Sequence, residues 1–238
     1  MSQAVLLQVD KLRAWYGRAQ ILFDLSLQVA QGEVVALMGR NGAGKSTTLK
    51  SIAGLVERTQ GEVRFRGDSV RGEEPYRIAR RGLGYVPEDR RIFTDLTVQQ
   101  NLEVGRQPPR DGAAAWTPEK LFKVFPNLGE MPARPGGRMS GGEQQMLTVA
   151  RTLMGNPYLI LLDEPSEGIA PKIVEGMANM ILELKREGLS VLLCEQNLHF
   201  AQLVSDRAYV IEKGQIRFAG TMVELAREDS VQREYLSV

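Results

Sequence analysis

Three short stretches of this chain carry residue types that chemistry uses. The first is Gly39-Arg40-Asn41-Gly42-Ala43-Gly44-Lys45-Ser46, which follows the apolar run Val34–Met38 and precedes a helix-like stretch. Its spacing, G-x-x-x-x-G-K-S, lets backbone N–H groups turn inward around phosphate oxygens. The start of the following helix adds the positive end of its dipole. Lys45 is then in reach of β- and γ-phosphates, and the Ser46 hydroxyl is a ligand for Mg²⁺. Gly39 through Thr47 is the candidate phosphate cradle.

The second stretch is Leu159-Ile160-Leu161-Leu162-Asp163-Glu164-Pro165, two acids at the end of an apolar run. In a parallel sheet, ligands bind beyond that end of the strands. Asp163 is the candidate Mg²⁺ ligand, and Glu164 the candidate base that orients and deprotonates a water. The same pair could instead cap a helix starting near Pro165. The third stretch, Ser140-Gly141-Gly142-Glu143, precedes an apolar helical pattern. Ser140 and Glu143 have the S-x-x-E spacing of a capping box. Two glycines in a first helical turn cost about 1 kcal/mol each relative to alanine. They bare backbone N–H groups, as a second phosphate contact would require. One nucleotide rarely needs two such helix starts unless the second serves a neighbouring chain's nucleotide.

The elements that must hold these residues follow from patterning. Short β-branched runs alternate with longer helical patterns, which predicts an α/β fold with a mostly parallel sheet. Val34–Met38, Tyr158–Leu162 and Ser190–Cys194 read as strands covered on both faces. A helix is expected over Lys45–Gly54 and another from Pro171 to Gly188, with proline at its start and glycine at its end. Val210-Ile211 and Gln215–Phe218, around Lys213-Gly214, read as a hairpin at a sheet edge. Residues 1–30 alternate apolar and polar as an antiparallel β piece would. Pro108 to Pro135 holds six of the eleven prolines, and the region lacks strand signals. Hence 86–150 is expected to be an inserted helical lobe on mobile loops, with 1–85 and 151–238 forming the core of one domain.

Composition sets the outer limits. The 238 residues are 43% hydrophobic and 25% charged, which excludes a disordered chain. Lys plus Arg number 30 and Asp plus Glu 29, a net charge of +1 that argues against nucleic acid as partner. The single cysteine, Cys194, fits a reducing compartment and reads as a small core residue. Asp10 and Lys11 lie too close to the N-terminus for a signal peptide, and no apolar run approaches the ~18 residues of a membrane span. A cytoplasmic chain is expected, reaching a membrane only through partners.

Taken in order, Gly39–Ser46, Ser140–Gln144 and Asp163–Glu164 resemble the ATP-binding subunits of ABC transporters, over the whole chain. The resemblance implies a P-loop NTPase core with ATP and Mg²⁺, and two such subunits enclosing two ATP molecules head to tail. The phosphate loop of one would face Ser140, Gly141, Gly142 and Glu143 of the other. Glu143 replaces the family's usual glutamine. Ser166–Ile169 corresponds to a loop that crosses the dimer, and Tyr16 to an aromatic that stacks on adenine. Tyr85-Val86-Pro87-Glu88, Met139–Met146 and Leu193-Cys194-Glu195-Gln196-Asn197 are more closely similar to ATPases of branched-chain amino acid uptake, with urea and amide importers as near relatives. That implies transmembrane permease subunits, a solute-binding protein behind them, and a place on the inner face of the cell membrane. The Glu88–Phe93 loop and the Pro-rich lobe would face the permease.

Two positions depart from the wider family. Glu88 stands where a glutamine is usual; it can contact Mg²⁺ but brings negative charge toward the triphosphate. Gln196 stands where a switch histidine is usual; it can hydrogen-bond a γ-phosphate but carries no positive charge. The only histidine, His199, is expected on a helix without a catalytic role, and Arg77, Arg80 and Arg81 on a solvated helix face. Other readings are a soluble ABC-type ATPase acting on DNA or ribosomes, a GTPase or small-molecule kinase, and a weakly hydrolysing subunit of a heterodimer. No coiled-coil insertion, zinc motif or N-K-x-D sequence supports the first two.

Overall fold

The computed structural model describes residues 4–169 and 171–236. Its strands are β1 (Val5–Tyr16), β2 (Ala19–Ala30), β3 (Val34–Met38), β4 (Arg58–Phe65), β5 (Asp68–Ser69), β6 (Leu83–Val86), β7 (Leu159–Asp163), β8 (Ser190–Glu195), β9 (Arg207–Glu212) and β10 (Gln215–Thr221). The helices that position the site are α1 (Lys45–Ile52), α2 (Pro75–Arg80), α3 (Val98–Gly105), α4 (Pro118–Val124), α5 (Pro126–Gly129), α6 (Gly141–Leu153), α7 (Pro171–Arg186) and α8 (Leu198–Val204).

Six strands form one sheet in the order β10-β9-β3-β8-β7-β6. All neighbours are parallel except the β9–β10 pair at the edge. Every residue of β3, β7 and β8 is buried, because alternate side chains enter two different cores. Val34, Ala36, Met38, Ile160, Leu162, Val191 and Leu193 face the helical side. Val35, Leu37, Leu159, Leu161, Leu192 and Cys194 face α1 and a second sheet. That two-sided burial is why these strands read as unbroken apolar runs.

The second sheet is antiparallel, in the order β2-β1-β4-β5. The β piece expected over residues 1–30 is therefore joined by 58–69, whose polar sequence gave no strand signal. Register shifts in β1 bracket Lys11, a left-handed residue (φ 48°) at a bulge.

No strand occurs between β6 and β7 among the described residues. The helices expected there as an inserted lobe pack directly on the sheet. Leu102, Leu121, Phe125, Leu128 and Leu147 share one apolar cluster with the sheet. Boundaries at 85 and 150 fall inside β6 and α6. The Pro-rich segment is pinned by buried Asn156, which donates to Gln107 O (2.9 Å) and Pro108 O (3.2 Å) and accepts from Trp116 N (2.7 Å). Arg77 and Arg80 are exposed on α2. Arg81 is not simply solvated; it is ion-paired with Glu73 (2.7 Å) and Asp68 (3.1 Å).

Candidate functional site

The parallel strands bring their C-terminal ends to one edge of the sheet. Met38 lies opposite Glu195 and Val210, and Asp163 opposite Cys194. The chain leaves β3 at Gly39 and enters α1 at Lys45, with Gly42 (φ 80°) and Gly44 (φ 114°) turning the loop between them. A Cβ on Gly39 would stand 2.5 Å from Ile211 O, so the loop's first residue is packed on β9.

Lys45 is 3% exposed, and its ammonium points into the loop. It donates to Gly39 O (2.8 Å) and Arg40 O (3.1 Å) and pairs with Glu164 Oε1 at 3.0 Å. Glu164 is itself 7% exposed. Removing one member of such a buried pair typically costs about 3–5 kcal/mol, because the other charge is left without a partner. Glu164 also sits in the left-handed region (φ 48°), a conformation costing roughly 1–2 kcal/mol for a residue with a Cβ. Strain of this kind persists where the surroundings over-determine it.

Ser46 Oγ donates to Asp163 Oδ1 (2.9 Å), and Tyr85 OH to Asp163 Oδ2 (3.1 Å). Asp163 is 1% exposed. Burial pushes its carboxyl above the usual aspartate range, and the Ser46 and Tyr85 hydrogen bonds work against that. Burial, then the Asp163 charge, push the Tyr85 phenol up, so it remains a donor. Among the described residues no group of three or more His, Cys, Asp or Glu side chains could hold a metal. A hydroxyl beside one carboxylate suits Mg²⁺, which keeps waters and takes its remaining oxygens from phosphates. The residues present therefore fit Mg²⁺.

A cavity of about 400 Å³ lies over the loop, lined by Asn41, Gly42, Gly44, Lys45, Ser46, Thr47, Glu88, Glu164 and Glu167. Tyr16, 49% exposed at the end of β1, lines the adjoining cleft with Glu88, Lys50 and Asp163. Gln196 is half-buried just past β8; its backbone N–H donates to Glu195 Oε2 at 3.2 Å. His199 is exposed on α8.

None of Ser140, Gly141, Gly142 and Glu143 lines the cavity over the loop. They open α6 as a capping box: Glu143 N donates to Ser140 Oγ (3.4 Å) and Ser140 N to Glu143 Oε2 (2.7 Å). Gly142 has a packing cause inside the chain, whereas Gly141 faces only a movable side-chain end. A Cβ on Gly141 would meet the Arg90 guanidinium at 2.7 Å, and one on Gly142 would meet Ile173 Cγ2 at 2.9 Å.

Sequence reasoning assigned nothing to Tyr85, Glu167 or Glu195 individually. Glu195 is 1% exposed, and burial pushes its carboxyl up against hydrogen bonds from Ser166, Asn197 and Gln196. A charged residue closing the apolar run Val191–Cys194 was the available signal.

Residues 22–167 match the family described as ABC transporter. The chain is 42% identical, over 97% of its length and 99% of the relative's, to the high-affinity branched-chain amino acid transport ATP-binding protein BraG of Pseudomonas aeruginosa. It is 35% identical to the lipopolysaccharide export system ATP-binding protein LptB of Escherichia coli K12, covering 98% of this chain and 97% of that one. A crystal structure of a nucleotide-free ATP-binding cassette from an ABC transporter superposes with a TM-score of 0.83 at 28% identity, covering 98% and 99% of the two chains.

Proposed function

The chain belongs to the ABC transporter family, and from that premise we propose that it is the ATP-hydrolysing subunit of an importer for branched-chain amino acids or related polar solutes. The observation that carries this reading is the convergence of Lys45, Ser46, Asp163 and Glu164 at one sheet edge, with Ser140–Glu143 outside their cavity. In this reading the backbone N–H groups of Gly42–Thr47 and the start of α1 hold the phosphates, and Tyr16 packs on the base. Lys45 exchanges its carbonyl and Glu164 partners for phosphate oxygens. Glu164, freed from Lys45, accepts a proton from the attacking water. Ser46 and Asp163 would hold Mg²⁺, with Glu88 lining the same cavity, and the ion would supply charge neutralisation at the phosphates. Gln196 contributes an uncharged hydrogen bond to the terminal phosphate.

Ser140–Glu143 would complete the site of a second ATPase subunit, so that ATP favours the closed pair by contacts that ADP lacks. A groove of about 480 Å³, lined by the exposed Tyr76, Phe93 and Val104 and by Arg151, is where a transmembrane permease would dock. No helix among the described residues is long and apolar enough to cross a membrane, so attachment to its inner face would come through that permease. A solute-binding protein would act beyond it, and no nucleic acid is involved. The amino acid reading is preferred over lipopolysaccharide export because identity is 42% against 35% over equal coverage. A weakly hydrolysing heterodimer subunit is the second reading, favoured by the uncharged Gln196.

Two substitutions test the site. Lys45→Ala is expected to abolish ATP binding in a fluorescent-nucleotide titration. Glu164→Gln is expected to bind ATP, lose turnover and accumulate as a dimer on size-exclusion chromatography; undiminished hydrolysis would remove Glu164 as the base. Uptake of labelled leucine by vesicles holding the permease and solute-binding protein tests the substrate class.

A further inference from the structure

We propose that Glu195 is a positioning residue that locks the Glu164 loop and the Gln196 loop into one register. The inference rests on the roles read above for Glu164 and Gln196, and goes beyond them by naming what holds the two together. Both carboxylate oxygens are in use. Oε1 accepts from Ser166 N at 3.0 Å; Oε2 accepts from Gln196 N and Asn197 N, each at 3.2 Å. One buried side chain thus joins two loops separated by 29 residues of sequence.

Helix capping does not explain this carboxylate. Asn197 is the N-cap of α8 and supplies its own acceptor, Oδ1, to Phe200 N at 3.1 Å. A buried carboxylate is expensive to desolvate and is retained where its lone pairs meet donors that nothing else can satisfy. Here those donors lie two residues past Glu164 and at or beside Gln196, the residues read above as meeting water and phosphate. A second tie runs beside it, Glu164 N to Cys194 O at 3.1 Å. Together they fix residues 164 and 166 against the end of β8 and hold Glu164 in its left-handed conformation. Glutamine has the same shape but one oxygen and one NH₂. Whichever way its amide turns, an N–H group then meets a backbone N–H, so the two loops lose their common anchor.

The test uses the full chain with Glu195→Gln, read beside Glu164→Gln. Expected are a fall in kcat of tenfold or more, a KM for ATP within twofold of wild type, and an unchanged dissociation constant for a fluorescent ATP analogue. Amide hydrogen exchange should accelerate in peptides covering 164–168 and 195–198 but not in those covering 39–47. A kcat within twofold of wild type overturns the proposal. So does an equal loss of ATP affinity and thermal stability with exchange raised throughout, which is the signature of a merely structural residue. Should Glu195→Gln fold too poorly for kinetics, Glu195→Asp keeps the charge but is one methylene too short to reach both loops, and is read by the same exchange peptides. The exchange readout does not depend on Glu164 being the base. If Glu164→Gln turns over normally while 164–168 still loses protection in Glu195→Gln, the base assignment fails and the anchor stands.

Discussion

Gly214 is the residue through which the β9–β10 hairpin holds the phosphate loop, and replacing it with alanine separates that role from ordinary glycine strain. Its φ is +76°, and an added Cβ would lie 1.9 Å from Ile21 O, which is backbone and has no rotamer to yield. The turn would have to move away from β2. Two hydrogen bonds are then lost: Gly214 N to Ala43 O (2.8 Å), inside the phosphate loop, and Phe23 N to Gly214 O (2.9 Å). Left-handed backbone costs roughly 1–2 kcal/mol for alanine, and each hydrogen bond contributes about 1 kcal/mol. The sum is ~3–4 kcal/mol. For a domain of this size that lowers the melting temperature by roughly 6–16 °C. Gly112→Ala is the control, because its φ is +73° with nothing within 4 Å of an added Cβ. It carries the backbone cost alone, about 1–2 kcal/mol. Differential scanning fluorimetry and a fluorescent-ATP titration on both variants decide the matter. Gly214→Ala should melt well below Gly112→Ala and bind ATP more weakly, since Ala43 O loses its donor. Equal melting shifts, or an ATP affinity equal to wild type, would refute the claim that this hairpin supports the loop.

Two further perturbations follow from buried polar groups. Asn101, fully buried in α3, donates to Phe93 O (3.0 Å), Leu96 O (3.2 Å) and Thr97 O (3.0 Å) and accepts from Phe93 N (3.0 Å). Asn101→Ala should destabilise by roughly 1–3 kcal/mol in urea unfolding, since Phe93 N loses its acceptor and three carbonyls lose a second donor. Tyr85→Phe removes a donor that favours ionised Asp163, whose carboxyl burial already pushes up. Mg²⁺ needs the ionised form, so its affinity should fail at a higher pH in Tyr85→Phe than in wild type as the solution is acidified. Half-saturating Mg²⁺ in the ATPase assay, measured stepwise toward acid, reads that shift. The sign for folding is opposite: a carboxyl with a raised folded value binds its proton more tightly when folded. Without Mg²⁺, its stabilising contribution is complete below the unfolded aspartate value and is lost as pH rises through the folded one.

What could be read in advance depended on whether a cause was local. β3, β7 and β8 were legible because burial on both faces writes itself as an unbroken apolar run, and α7 because Pro171 and Gly188 bracket it. The turn between β3 and α1 was legible because closely spaced glycines at Gly42 and Gly44 permit the left-handed backbone it needs. β4 was not, since Arg58, Gln60, Glu62 and Arg64 alternate with only Val63 and Phe65 as buried apolar residues. Gly141 and Gly142 were read as exposing N–H groups, but their neighbours Arg90 and Ile173 come from distant segments that no local pattern reveals. Asn156, with φ 50°, organises the Pro-rich segment through carbonyls nearly fifty residues upstream. Glu195 was missed for the same reason, because its partner Ser166 lies in another loop.

In the proposed function, the arrangement of Lys45 and Glu164 would tie ATP binding to the readiness of the base. Lys45 Nζ is held by two loop carbonyls and by Glu164 Oε1 at 3.0 Å, with both side chains buried. A triphosphate carries more negative charge than a single carboxylate and would bring its own oxygens to the loop N–H groups, so in the proposed reading it would outcompete Glu164 for the ammonium. In the proposed reading the carboxylate, displaced from its cation, would be repelled by the phosphates beside it. Its position cannot relax far, because the backbone at 164 and 166 is anchored to Cys194 and Glu195. If Glu164 is the base, as proposed, its pairing with Lys45 would hold it back until phosphate arrives, and the backbone anchors would keep it in place afterwards. In that reading, ATP binding would act on a partner subunit before the nucleotide is lost.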